Sequence, residues 1–121
     1  MLSALLAAAV LSQATPQTMT LEDLSITEIV ACSLIGWAGK KNYFGETTPA
    51  TDSERAIWEA LDQLETRARE EADRQMTARN YTDEHRQTED SYARDMLGRA
   101  SDDEAQQMFE ACAGVFNIAL D

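Results

Sequence analysis

Apolar residues recur at intervals of three and four over the longest regular segment of this 121-residue chain. Such spacing places apolar side chains on one face of an α-helix, whereas a half-buried strand would alternate apolar and polar residues. The chain has only five glycines and two prolines to interrupt helices, and no alternating β-branched run predicts a strand. An all-α fold is therefore expected. The periodic positions are Ile57, Leu61, Leu64, Ala68, Ala72 and Met76.

Capping sequences divide the chain into helices. We expect the first helix from about Thr20 to Ala38, with Thr20 as its cap. The second half of this helix is apolar on nearly all sides, which predicts a central, enclosed position. The second helix begins at Thr51, which forms a capping box with Glu54.

The segment after the periodic stripe has two interpretations. A helix could run unbroken from about Asp52 to Leu97, or it could break near Asn80–Thr82. A single rod of that length would extend far beyond the short first and last helices at ~1.5 Å per residue, so a break is favoured. A further capping box at Ser101 starts a last helix that we expect to continue to about Leu120. About four amphipathic helices with short connections predict a small antiparallel bundle.

The first residues have the form of a secretory signal peptide. The apolar run from Leu2 to Leu11 is too short to span a bilayer, and small residues up to Ala14 follow it. No Lys or Arg precedes the run, so an uncleaved anchor or an ordinary first helix is the alternative. We predict a signal peptide over residues 1–14 and a single helical domain over residues 15–121. The protein is then periplasmic or secreted and, from the style of the signal, bacterial.

The two cysteines, Cys32 and Cys112, each lie in an apolar helical segment. In an up-down bundle the first and last helices are antiparallel neighbours, so both residues come at about the same height. An oxidising compartment favours a bond between an even number of cysteines. We therefore expect a structural disulfide between Cys32 and Cys112. A redox pair and two buried free thiols are the alternatives.

Patterns typical of catalysis or cofactor binding do not appear in the sequence. His85 is the only histidine and position 82 is Thr, so both Glu-x-x-His motifs of a bundle di-metal site are missing. A His-based triad would need a nucleophilic serine on a tight turn, and no such motif is present. Phosphate-binding and haem-attachment motifs are absent as well. We predict no catalytic residue, no metal site and no cofactor.

The charge balance bears on the partners of the protein. Twenty-two Asp and Glu residues against ten Lys and Arg give a formal net charge of −12 at pH 7. Such a surface repels nucleic-acid phosphates and anionic lipid headgroups, so we expect neither a nucleic acid nor a membrane surface as a partner. The short apolar run at the start of the chain further predicts no membrane span after signal cleavage. Acidification would make the net charge positive and could loosen the fold, as in an acid-stress protein.

The one clear loop in the sequence, at residues 39–52, has an unusual composition. It holds Lys40 and Lys41, the only lysines, beside Tyr43 and Phe44, and loops with cations and aromatic residues are common recognition surfaces. In the alternative, the aromatic side chains cover the end of the bundle and the lysines cap the first helix. We predict a non-enzymatic protein that binds another protein, of undefined identity and oligomeric state. A small-ligand or metal carrier using the bundle interior, and an enzyme, are the alternatives.

Overall fold

A computed structural model describes residues 19–120, and within this range the fold is all helical. The expected bundle of about four helices is confirmed, while the predicted signal peptide at residues 1–14 lies outside the described residues. A short 3-10 turn at Leu21–Asp23 precedes four α-helices: α1 (Ile26–Phe44), α2 (Asp52–Ala78), α3 (Asp83–Gly98) and α4 (Asp102–Val115).

Helix α1 begins later than the sequence predicted. Ser25 is its N-cap: the Ser25 hydroxyl accepts a hydrogen bond from the Glu28 backbone N–H at 3.2 Å, and the Glu28 carboxylate accepts one from the Ser25 N–H at 2.9 Å. The predicted start at Thr20 is wrong, because Thr20 caps the 3-10 turn, where its N–H donates to Asp23 at 2.9 Å. Two similar capping sequences follow each other, and spacing alone does not show which one starts the longer helix.

Helix α1 also continues past its predicted end at Ala38. Gly39 does not end it, because this glycine lies against α2: a Cβ there would come within 2.5 Å of the Leu61 side chain. The helix ends at Phe44, and its C-cap Gly45 has a φ of 56°, which favours glycine. The expected loop is therefore shorter, and four of its predicted residues lie on the last turns of α1: Lys40, Lys41, Tyr43 and Phe44.

The helical segment from Asp52 to Leu97 is broken at the position predicted from the lengths of its neighbouring helices. Helix α2 ends at Ala78, and Asn80 adopts a positive φ of 57°. Asparagine enters this left-handed conformation more readily than most residues. Thr82 then caps α3, accepting a hydrogen bond from the His85 backbone N–H at 3.1 Å. The break at Asn80–Thr82 is confirmed.

Helix α1 is the centre of the bundle, and each of the other three helices packs against it. Ile29 and Ala31 are fully buried on α1, in agreement with its apolar sequence. The predicted apolar face of α2 is buried from Leu61 to Met76, but Ile57 at the start of that face is 46% exposed. Within residues 19–120, no helix combines the length and the hydropathy needed to cross a membrane.

Cys32 and Cys112 form the predicted disulfide, which joins the first helix to the last. Their Cα atoms lie 5.7 Å apart, and both residues are fully buried. Helix α4 ends at Val115 rather than at the expected Leu120. The interface of α4 with α1 is smaller than those of α2 and α3, and the disulfide adds a covalent link to the buried side chains of Met108 and Ala113.

Gly36 allows α1 and α2 to approach each other closely. A Cβ at this position would lie 2.5 Å from the Leu61 carbonyl oxygen and 2.6 Å from the Glu65 backbone nitrogen. Since both are backbone atoms, the helices themselves must move to admit a methyl group. We expect Gly36→Ala to lower the free energy of unfolding by about 1–3 kcal/mol, the usual cost of overpacking, in urea denaturation.

Gly114→Ala is the matched control for this substitution. Gly114 is an exposed residue of α4, and a Cβ there would meet nothing within 4 Å. Alanine favours a helix over glycine, so this variant should be as stable as the wild type or more stable. A neutral Gly36→Ala variant, or equal losses at both glycines, would contradict the close approach of α1 and α2.

Candidate functional site

An open groove lies between α1, α2 and α3. Its volume is about 390 Å³, which falls in the range of roughly 300–1,000 Å³ common for ligand sites. Apolar side chains form one part of its lining, and charged side chains form the other. The apolar part consists of Val30, Leu34, Trp37, Ala72 and Met76, and the charged part consists of Arg69, Asp73, Arg86, Asp90 and Arg94.

The groove has a simple origin in the sequence. Ser33 on α1 and Ala72 on α2 both line it, and their small side chains leave space between the two helices. Helix α3 is polar, with Ala93 as its one buried residue, so it covers the apolar stripe of α1 incompletely. As a result Trp37, on the same stripe, remains 41% exposed.

Two cations lie near the Trp37 ring. The Lys41 ammonium is 4.7 Å from the ring centroid, and the central guanidinium carbon of Arg94 is 5.9 Å from it, both within the cation–π range. Among the described residues, no carboxylate forms an ion pair with Lys41. Lys41 thus brings an uncompensated positive charge to this side of the groove.

The arginines of the groove keep hydrogen-bonding capacity. Arg86 Nη1 lies 2.7 Å from the Asp73 carboxylate, and Arg94 Nε lies 2.7 Å from the Asp90 carboxylate. Arg69 forms its ion pair with a residue outside the groove lining. A guanidinium has five N–H donors, and these contacts occupy only part of them on each arginine. Each arginine therefore retains donors for a further acceptor.

Lys40 forms a polar link between α1 and α2 rather than a free surface charge. Its Nζ lies 2.7 Å from carboxylate oxygens of both Asp62 and Glu65, and 5.1 Å from the centroid of the Trp58 ring. Burial lowers the pKa of Lys40, but its hydrogen bonds to the two carboxylates outweigh that effect, and the pKa is raised overall. Glu65 is buried and also pairs with Arg69. Lys40 therefore belongs to the contact between α1 and α2.

The structure separates the residues that the sequence grouped in one interaction loop. Lys41 lies beside the groove, on Trp37. Tyr43 is 69% exposed, and its ring centroid is 6.4 Å from that of the partly buried Phe44. An interaction role for these residues stays a prediction. Trp37 was missed because its position in an apolar run indicated burial.

His85, the only histidine, lies on the exposed side of α3. Its ring stacks on Tyr81 with centroids 3.7 Å apart, and its Nε2 is 3.8 Å from a Glu89 oxygen. Glu89 accepts a hydrogen bond from the Thr27 hydroxyl and so connects α3 to α1. In the range 19–120, no three His, Cys, Asp or Glu residues are grouped so as to hold a metal ion.

No protein-family model, curated protein or solved structure matches this chain. The groove, its exposed tryptophan and its charges are therefore the basis of the functional argument.

Proposed function

We propose that this protein is an exported, non-enzymatic binding protein that holds a segment of another protein in the groove between α1, α2 and α3. The observation that supports the proposal is the partly exposed Trp37 in a groove lined by three arginines. Tryptophan and arginine are enriched among the residues that dominate the binding energy of protein interfaces. An apolar floor inside a polar surround is also the usual anatomy of such interfaces.

Export to the periplasm or the cell exterior is supported by two features of the chain. Residues 1–14 have the apolar run and the small residues of a signal peptide. The Cys32–Cys112 disulfide is of the kind that forms and persists in an oxidising compartment.

Site-specific photo-crosslinking in cells that export the protein tests the proposal. Trp37 is replaced by the photoreactive aromatic residue p-benzoylphenylalanine, and the cells are irradiated. We expect a discrete adduct whose crosslinks map to one segment of one partner protein. The purified partner should then bind the wild-type protein and lose at least about tenfold in affinity for Arg94→Ala.

Tyr92 provides the matched control position. It is aromatic, lies on α3, is 60% exposed and does not line the groove. The same photoreactive residue at this position should give no adduct with that partner segment. Equal adducts from both positions, or no adduct from position 37, would exclude the groove as the binding surface.

A further inference from the structure

The groove lining carries a net positive charge, whereas the rest of the protein carries a large net negative charge. Its lining holds three arginines and two aspartates, a balance of +1, and Lys41 adds a further cation at the Trp37 ring beside the lining. The seven Lys and Arg residues and twenty Asp and Glu residues outside the lining carry −13, which with the +1 of the lining makes the formal net charge of −12. Four of the ten positively charged side chains of this acidic protein therefore lie in the groove or beside its exposed Trp37.

The positive charge is positioned next to the exposed ring. Lys41 and Arg94 both lie within 6 Å of the Trp37 centroid, at 4.7 and 5.9 Å. A carboxylate placed beside that ring would meet two cations, one of which has no acidic partner among the described residues. Hydrogen bonds between a carboxylate and such cations are stronger than those between neutral groups.

The apolar floor defines the second requirement on the occupant. Val30 and Leu34 on α1 face the groove together with Met76 on α2. Leu34 and Met76 are themselves buried, so the apolar surface that an occupant would remove from water belongs to the partly exposed Val30 and to Trp37, which is 41% exposed. Lysine or arginine at the same place would lie against Lys41 and Arg94 and would be repelled by their like charges.

We infer that the partner segment in the groove carries a large apolar side chain flanked by a carboxylate. The inference rests on the proposed binding function and specifies the chemistry of the partner. A nucleic acid or an anionic membrane would bring many negative charges against the surrounding −13. A single carboxylate inside the groove interacts mainly with the nearest cations, because charges beyond about 8 Å are screened at physiological ionic strength.

Trp37 fluorescence supplies a direct test. Trp58→Phe leaves Trp37 as the sole tryptophan, since the chain has two. This variant is titrated with three blocked pentapeptides: a phenylalanine flanked by glutamates, the same phenylalanine flanked by lysines, and a serine flanked by glutamates. We expect the first peptide to shift Trp37 emission and to bind at least about tenfold more tightly than either of the others.

Two charge reversals in the Trp58→Phe background locate the effect. Lys41→Glu should weaken binding of the first peptide at least about tenfold, because it places a negative charge at the Trp37 ring. Arg99→Glu makes the same change of net charge at the exposed C-cap of α3, where the side chain contacts neither the Trp37 ring nor the groove lining, and should leave the affinity within about twofold. Circular dichroism confirms that each variant is folded.

Three results of the peptide titrations would overturn the inference. The lysine peptide could bind as tightly as the glutamate peptide, the two charge reversals could have equal effects, or none of the peptides could bind. A partner segment without a carboxylate, crosslinked from position 37, would also overturn it while leaving the proposed function intact. Failure of the crosslinking itself counts against the binding function, so the two failures are distinguishable.

Discussion

Replacing both cysteines, as Cys32→Ala with Cys112→Ala, is expected to lower the free energy of unfolding by about 4 kcal/mol. The bond closes a loop between residues 80 positions apart, and a long loop removes much entropy from the unfolded chain. Domains of this size are typically stable by only about 5–15 kcal/mol, so the variant loses a large fraction of its stability. Alanine is preferred to serine because both positions are fully buried, and a hydroxyl there would add a desolvation cost.

Urea denaturation of the oxidised wild type, the reduced wild type and the double variant measures this effect. Reduction should produce a loss similar to that of the double variant. In hydrogen exchange, we expect α4 to lose protection first, because its interface with α1 is otherwise small. Unchanged stability after reduction, or two free thiols in the mass of the non-reduced protein, would contradict the structural role of Cys32 and Cys112.

The disulfide and the break at Asn80 were predictable because each follows from a requirement on the whole fold. Antiparallel first and last helices bring Cys32 and Cys112 to one height. A helix running unbroken to Leu97 would extend beyond its neighbours. Such requirements limit the possible arrangements even without any knowledge of side-chain contacts.

The C-terminal end of α1 was not predictable in the same way, because a glycine at position 39 is compatible with two structural roles. A glycine after an apolar run commonly ends a helix, but it also allows a neighbouring helix to approach. The Leu61 side chain fills the space at Gly39, and that contact depends on the crossing of α1 and α2. This tertiary contact decides between the two roles, and it leaves no mark in the local sequence.

The groove was beyond sequence analysis for a related reason. Its lining comes from three helices, and the exposure of Trp37 depends on how little of α1 the polar helix α3 covers. The apolar run around Trp37 indicated burial, which is correct for Ile29 and Cys32 in the same helix. Trp37 stays exposed in an otherwise buried stripe because the polar helix α3 covers this part of α1 incompletely.

Acidification from pH 7 to pH 2.5 is expected to open the bundle, beginning with α3. Helix α3 has Ala93 as its one buried residue, so little apolar contact holds it against α1 and α2. Protonation of all carboxylates would also leave the charges of ten Lys and Arg residues and one His, so that the net charge becomes strongly positive and the helices repel one another.

Two carboxyl groups with lowered pKa values, one on α2 and one on α4, set the pH range in which the stability of the whole bundle begins to fall. The hydrogen bond from Arg74 lowers the pKa of Glu71, and the hydrogen bond from the Ser101 backbone N–H lowers the pKa of Glu104. A group whose pKa is lower in the folded state stabilises that state fully above its ordinary pKa of 4.5. The stabilisation disappears as the pH falls from there through the lowered pKa, so the loss should begin below about pH 4.5.

The raised pKa of Lys40 affects stability only at alkaline pH, since its contribution is fully present below 10.5.

Dye binding and tryptophan emission measure the opening. Release of α3 uncovers Val30, Leu34 and Trp37, so the fluorescence of the apolar dye ANS should rise below about pH 4.5. In Trp58→Phe, the emission of Trp37 should move to longer wavelength over the same interval, while the disulfide keeps α4 attached to α1.

Hydrogen exchange across the pH series distinguishes local opening from general unfolding. We expect protection in α3 to fall at a higher pH than protection in α2, because the buried face of α2 from Leu61 to Met76 packs on α1 independently of α3. Simultaneous loss in both helices would mean that the bundle unfolds as one unit and that α3 does not open first. Constant ANS fluorescence down to pH 2.5 would contradict acid opening altogether, and the acidic composition would then serve solubility alone.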